Sequence, residues 1–268
     1  MEVFREGVVA LAVEQFLREP WRKGKPALGV WSTVGNALVV EALAAAGPDY
    51  VCVDMQHGTA TESQLVELTQ AVAAGGSVPI VRVPYLYPAS IMKALDAGAR
   101  GVIVPLVESG EEAALAVSAC RYPPAGTRSF GPFRASMQAG TDDVRELEKV
   151  AILVMIETRK GIDNLSQIVA TEGLTGVYLG PSDLSLALGL PPGSIEAPEF
   201  RAVVDRVLAA CREHDVIAGM HCYDGATARR AIEQGFDMVT VAVELRAMRQ
   251  AVTGELRRAR ANGSDAVK

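Results

Sequence analysis

Short apolar runs rich in β-branched residues alternate along this chain with longer Ala-, Leu- and Glu-rich runs, and the alternation never breaks. Candidate strands fall at residues 27–31, 50–54, 80–84, 101–105, 151–157, 176–179, 216–220 and 238–243. Several are almost wholly apolar, as parallel strands buried on both faces are. Residues 36–46, 61–74, 88–97, 111–120, 161–170, 198–214, 225–234 and 245–261 form the helical runs between and after them. Many units pass through a glycine step such as AAGPDY, DAGARG or EQGFDM, where a helix stops and a strand begins. Eight such units predict an α/β chain folded as one modified (β/α)8 TIM barrel. An open doubly wound sheet is the competing fold, but GVWSTVG at 29–35 is not the glycine-rich dinucleotide turn that often follows its first strand.

The expected organisation is an N-terminal helical extension over 1–25, a barrel domain over 26–262 and a disordered tail over 263–268. Residues 121–148 read as a long loop carrying Arg121, Arg128 and Arg134, and 181–198 as a Pro/Gly-rich insertion after the sixth strand. Loops of that length are usually functional or interfacial.

Composition narrows the function. A hydrophobic fraction of 49% with 22% charged residues suits a large packed core. A net charge of −6 and only 5% aromatics argue against a nucleic-acid partner, which wants a basic face and stacking rings. No apolar run is long enough to span a bilayer, and the acids in MEVFRE disfavour a secretory leader, so neither membrane nor secretion is expected. Cys52, Cys120, Cys211 and Cys222 are scattered without a CxxC pair, which reads as reduced thiols in a cytoplasmic protein.

Barrel chemistry sits at the C-terminal ends of the strands. There the chain places Asp54, Gln56 and His57, then Arg82, Glu157, Ser182 and Asp183, and finally His221, Cys222 and Tyr223. Glu157 and Asp183 come from neighbouring strand ends and suit a hard divalent ion such as Mg²⁺ or Mn²⁺; alternatively each caps a following helix. Arg82 lies inside an apolar strand, where a charge must be paired or used: it stabilises an anion or forms a buried salt bridge, with Asp54 as the candidate partner. His57 is a candidate general base, with Asp54 or Asp96 as the orienting partner, or a loop histidine with no role. His221 lines the pocket or supports it from behind. No lysine lies mid-strand, which counts against a Schiff base, and no P-loop or nucleophile elbow is present, so no nucleotide is expected. Cys52 and Cys222 lack an activating partner and read as inert.

The motifs YVCVDMQHGT (50–59), VRVP (81–84), MKALDAG (92–98), RYPPAGTR (121–128), IET (156–158) and GPSDLS (180–185) are in order and compatibly spaced. Together they resemble the HpcH/HpaI aldolase family, over about residues 28–248. The resemblance implies a class II carbon–carbon lyase (an aldehyde-lyase, 4.1.2.-) dependent on Mg²⁺, Mn²⁺ or Co²⁺. It would cleave a 4-hydroxy-2-oxo acid reversibly to pyruvate, or a related 2-oxo acid, and an aldehyde, in aromatic or sugar acid catabolism. It implies Glu157 and Asp183 as metal ligands, His57 as catalytic base with Asp96 raising its basicity, and Arg82 as stabiliser of the transition state. Gly180, Ser182 and Asp183 then meet the substrate. The assembly implied is a homo-oligomer, a hexamer built as a trimer of dimers that exchange the C-terminal helix. Two departures stand near the site: Gln56 replaces the Glu that often precedes the histidine, and Met155 replaces a Gln common before the metal Glu. Oxaloacetate decarboxylation through the same enolate, and a non-catalytic 2-oxo-acid-binding barrel, are the alternatives.

Overall fold

The computed structural model describes residues 25–260. The C-terminal tail, and all but Lys25 of the N-terminal extension, lie outside the described residues. Eight parallel strands close into a barrel in chain order. They are β1 (Ala27–Ser32), β2 (Tyr50–Asp54), β3 (Val78–Arg82), β4 (Gly101–Val104), β5 (Ala151–Ile156), β6 (Gly176–Leu179), β7 (Ile217–Met220) and β8 (Met238–Val243). Around them, in chain order, run α1 (Ala37–Ala45), α2 (Leu65–Ala74), α3 (Pro88–Asp96), α4 (Gly110–Cys120), α5 (Phe133–Ala139) and α6 (Val144–Leu147). They are followed by α7 (Arg159–Asp163), α8 (Leu165–Val169), α9 (Pro181–Ala187), α10 (Pro198–Glu213), α11 (Gly225–Gln234) and α12 (Glu244–Arg260).

Side chains alternate across each strand, so the strands feed two cores. The outer one lies between strands and helices and includes Val51, Val53, Val81, Val102, Ile152 and Val154. The inner one fills the barrel with Trp31, Tyr50, Cys52, Ile80, Ile103, Leu153, Met155, Tyr178 and Met238, among others. The Tyr50 and Tyr178 rings need glycine beside them: a Cβ at Gly29 would come 2.0 Å from the first, and one at Gly219 2.3 Å from the second. Tyr178 shares a 2.6 Å hydrogen bond with Thr240 across this floor.

Side-chain caps start helices close behind the strands. Asn36 accepts from the Val39 N–H, Ser109 from Glu112, Thr158 from Gly161 and Asp224 from Thr227. Each such cap stabilises its helix by about 1 kcal/mol. Two expected elements differ. The single helix expected over 161–170 is two short ones, α7 and α8, meeting at Asn164, whose side chain donates instead to the Glu108 carbonyl at 2.7 Å. The loop expected over 121–148 contains α5 and α6: Gly140, in the left-handed region at φ 66°, ends the first, and Asp143 caps the second.

After β8 the chain runs straight into α12, of which only Glu244 is buried. Leu245, Met248, Val252 and Leu256 present an apolar stripe to solvent. The outward side of β1 is correspondingly open at its start, where Leu28 is 39% exposed. A complete (β/α)8 barrel covers that slot with its eighth helix. Among the described residues, no helix is long and apolar enough to cross a membrane.

Candidate active site

Strand periodicity decides which polar side chains enter the barrel mouth. Cys52 and Ile80 point inward, so Asp54 and Arg82, two residues further on, do too. Leu153 and Met155 point inward, and Glu157 follows in the same phase just past the end of β5. The resulting pocket, about 220 Å³, is lined by these residues together with Trp31, His57, Asp183, His221 and Tyr223.

Asp54 and Arg82 are register partners on adjacent strands. The guanidinium grips the carboxylate at two points, Nε to Oδ1 at 2.9 Å and Nη2 to Oδ2 at 2.5 Å. Asp54 also accepts from Trp31 Nε1 at 3.2 Å and from the backbone N–H groups of Gln56 at 2.9 Å and His57 at 3.3 Å. Burial pushes the Asp54 carboxyl up, but the Arg82 hydrogen bonds and charge outweigh it and hold it below the usual range. Burial likewise works to lower Arg82, and Asp54 more than restores it. The expected salt bridge and an anion-facing role are therefore compatible: Arg82 lines the pocket, and among the described residues its Nη1 meets only the Met155 sulfur, 3.9 Å away.

Glu157 is 2% exposed. Its Oε1 accepts the Leu106 N–H at 2.9 Å. Leu106 has a left-handed backbone, φ 56°, strain of the kind that gathers at functional sites. Burial pushes Glu157 up to about 7; the Leu106 hydrogen bond and Arg82 oppose this, and the neighbouring Asp183 charge adds to it. Oε2 lies over Gly180, where a Cβ would come within 2.4 Å of it. Asp183 is exposed in the first turn of α9, and its side chain makes no capping bond. Helix capping thus accounts for neither acid.

These two carboxylates fit a hard dication. Among the described residues no cluster of three or more His, Cys, Asp or Glu gathers, as a closed zinc site would need. Mg²⁺ or Mn²⁺ needs only one or two carboxylates and fills its remaining positions with water and substrate oxygens. A buried acid pushed upward partly by a second acid is relieved when a cation sits between them.

His57 stands exposed on the loop after β2 and lines the pocket. Among the described residues, the buried Gln56 Oε1 meets no hydrogen-bond partner. His221 packs edge-on against Trp31 and Tyr223, with centroids 4.8 and 5.1 Å apart. Burial and the Arg82 charge push it down to about 4, so it stays neutral and serves as an aromatic wall. Ser182 Oγ shares a 2.7 Å hydrogen bond with the Tyr223 hydroxyl. Cys222 is buried, and burial pushes its thiol up to about 12, in keeping with an inert role.

Asp96 is not brought to this mouth. It ends α3, which starts at the mouth and runs back along the barrel, and its Oδ1 accepts from Arg128 Nη2 at 2.8 Å. Within one chain the carboxylate tied to the His57 backbone is Asp54. Trp31, Thr33 and Glu244 are site residues that strand-end reading passes over. Glu244 Oε1 accepts the Thr33 N–H at 2.5 Å, its hydroxyl at 2.9 Å and the Val34 N–H at 2.6 Å, pinning the loop after β1 beside the pocket. A buried acid at a strand–helix junction was the available signal.

The family model for HpcH/HpaI aldolase/citrate lyase matches residues 27–251. This chain belongs to that family. A hydroxypyruvate/pyruvate aldolase of Rhizorhabdus wittichii is 38% identical over 231 residues, 85% of this chain and 92% of that protein. A 5-keto-4-deoxy-D-glucarate aldolase of Citrobacter koseri is 36% identical over 227 residues, 84% of this chain and 88% of that one. Among solved structures, an HpcH/HpaI aldolase/citrate lyase family protein of Burkholderia cenocepacia superposes with TM-score 0.85 at 33% identity, covering 91% of this chain and 98% of its own. As in the sequence-based expectation, the family and its barrel span nearly all the described residues.

Proposed function

We propose that this member of the family is a divalent-metal-dependent aldehyde-lyase that reversibly cleaves a 4-hydroxy-2-oxo acid to pyruvate, or a related 2-oxo acid, and an aldehyde. The observation that carries the reading is the meeting of Glu157, Asp183 and the open edge of Arg82 in one pocket. Glu157 and Asp183 would hold Mg²⁺, Mn²⁺ or Co²⁺, which when bound supplies Lewis-acid polarisation of the substrate carbonyl.

The chain's own residues do the rest. In the cleavage direction His57 takes the proton from the C4 hydroxyl. The C4 oxygen becomes the aldehyde carbonyl, the C3–C4 bond breaks, and its electron pair passes through C3 and C2 to the C2 oxygen. Arg82, held rigid by Asp54, faces that developing negative charge with a guanidinium that needs no reorganisation. Return of that proton from His57 to C3, directly or through an intervening water, then yields the 2-oxo acid and restores the base. Gly180 leaves room beside Glu157, and Ser182 with Tyr223 forms the polar wall. Asp96, committed to Arg128, stays outside the step within one chain.

We also infer a homo-oligomer. The bare stripe on α12 and the open slot beside Leu28 support a second copy covering them. Four buried free cysteines are in keeping with a reducing, cytoplasmic setting.

The test is release of pyruvate and aldehyde from 4-hydroxy-2-oxo acids before and after EDTA, with Mn²⁺ added back. Activity lost in chelator and regained with metal is expected. Full activity in chelator, or trapping of the protein by borohydride with pyruvate, overturns the reading. Release of CO₂ from oxaloacetate without aldehyde chemistry would identify a decarboxylase, and no turnover at all a binding barrel.

A further inference from the structure

Met155 stands between the two groups that would hold the substrate. It shares the inward phase of β5 with Glu157, two residues on, and lines the same pocket. On one side its Sδ is 3.9 Å from Arg82 Nη1. On the other its Cε closes on Gly180, where a Cβ would come 2.9 Å from it and 2.4 Å from Glu157 Oε2. The thioether therefore reaches from the Arg82 guanidinium to the Glu157 carboxylate along one wall. A 2-oxo acid seated before both groups lies against it.

The oxygens of such an acid face the Glu157–Asp183 side and Arg82, so C3 and whatever it carries turn to the other walls. Those walls have little to give a hydroxyl. Met155 offers a thioether, a weak acceptor with no donor. Trp31, whose ring centroid is 5.0 Å from Arg82 Cζ, donates its one N–H to Asp54 at 3.2 Å. The Thr33 hydroxyl donates to Glu244 at 2.9 Å, and Ser182 and Tyr223 share one hydrogen bond at 2.7 Å. A methyl group on C3 gains apolar contact with Met155 and Trp31. A hydroxyl there leaves water and meets groups already engaged with one another.

We propose that Met155 sets donor specificity, making the site read an apolar group on C3, so that 2-oxo acids carrying hydrogen or an alkyl group there are taken and a 3-hydroxylated one is turned away. The inference rests on the aldolase reading above and narrows its donor class. Met155 moves no proton and meets only the donor, so its effect follows the donor whatever the aldehyde.

The matched donors are 2-oxobutanoate and hydroxypyruvate, which exchange a methyl for a hydroxyl on C3 at nearly equal size. With Mg²⁺ present, exchange of their C3 protons in D₂O is followed by NMR against the rate without protein, and titration calorimetry measures the affinity of each acid. The native protein should favour 2-oxobutanoate about tenfold to a hundredfold in kcat/KM, the scale on which an apolar pocket rejects a hydroxyl in place of a methyl. Calorimetry should give the same order. Met155→Leu should keep the preference. Met155→Gln, similar in length but carrying an amide that can pair with a hydroxyl, should bring the ratio close to one or invert it. A native protein that uses hydroxypyruvate as well as 2-oxobutanoate overturns the proposal without recourse to any variant. So does a preference that survives in folded Met155→Gln, since another wall then sets it. Pyruvate separates the two levels. If its C3 protons exchange but the matched donors are used alike, only Met155 loses its role; if they do not exchange, the aldolase reading falls as well.

Discussion

Asp54 and Arg82 stand side by side on adjacent strands and close a two-point ion pair, 2.9 and 2.5 Å, at the rim of the inner core. Both are nearly sealed from solvent, at 1% and 8% exposure. A pair in such a place is a poor source of net stability, since desolvating two charges offsets their attraction, but removing one partner strands the other. Asp54→Asn should therefore destabilise the fold by about 3–5 kcal/mol and lower turnover. The double variant Asp54→Leu with Arg82→Met should recover much of the thermal midpoint and none of the pyruvate proton exchange. Recovery of exchange in the double variant would show that Arg82 serves structure alone.

Gly180 is placed to report on the two acids proposed to hold the metal. Its φ of −97° is open to any residue, so alanine adds no backbone strain. The new Cβ would instead press on Glu157 Oε2 at 2.4 Å. Gly180→Ala should keep its circular dichroism and thermal midpoint within a few degrees while losing Mn²⁺ affinity about tenfold or more, as small disturbances around metal ligands do. Titration calorimetry with Mn²⁺ decides; unchanged affinity would move the metal elsewhere.

His221 gives a pH signature. Its ordinary value of 6.5 falls to about 4 in the fold, through burial first and the Arg82 charge second. Above pH about 6.5 both folded and unfolded states hold it neutral and stability is full. As pH falls from there towards 4, the unfolded chain takes a proton that the folded one refuses, and stability drops by about 3 kcal/mol at most. Below 4 the loss levels off. Denaturant unfolding of native protein and His221→Phe across this range should show the slope flattening in the variant; parallel curves would place His221 in water.

The apolar stripe of α12 predicts assembly. Analytical ultracentrifugation should find an oligomer, with a hexamer expected, and charge placed on the stripe by Met248→Glu with Val252→Glu should shift it to smaller species. A monomeric native protein would leave the stripe and the slot beside Leu28 without a partner.

What the chain alone determined is the barrel and the inward set. Strict alternation of runs specifies eight strand–helix units, and a two-residue period specifies that Asp54, Arg82 and Glu157 share the inner face. These are local properties, set by side-chain sterics and burial within a few residues. Tertiary structure decided which of them touch. The register of β2 against β3 makes Asp54 the partner of Arg82, and the meeting of β1 with β8 brings Glu244 to Thr33 across more than two hundred positions. The run of α3 back along the barrel takes Asp96 away from His57 and gives it to Arg128. Such pairings follow from barrel closure and helix direction, which arise only when distant segments compete for the same buried space, and no local pattern encodes the outcome.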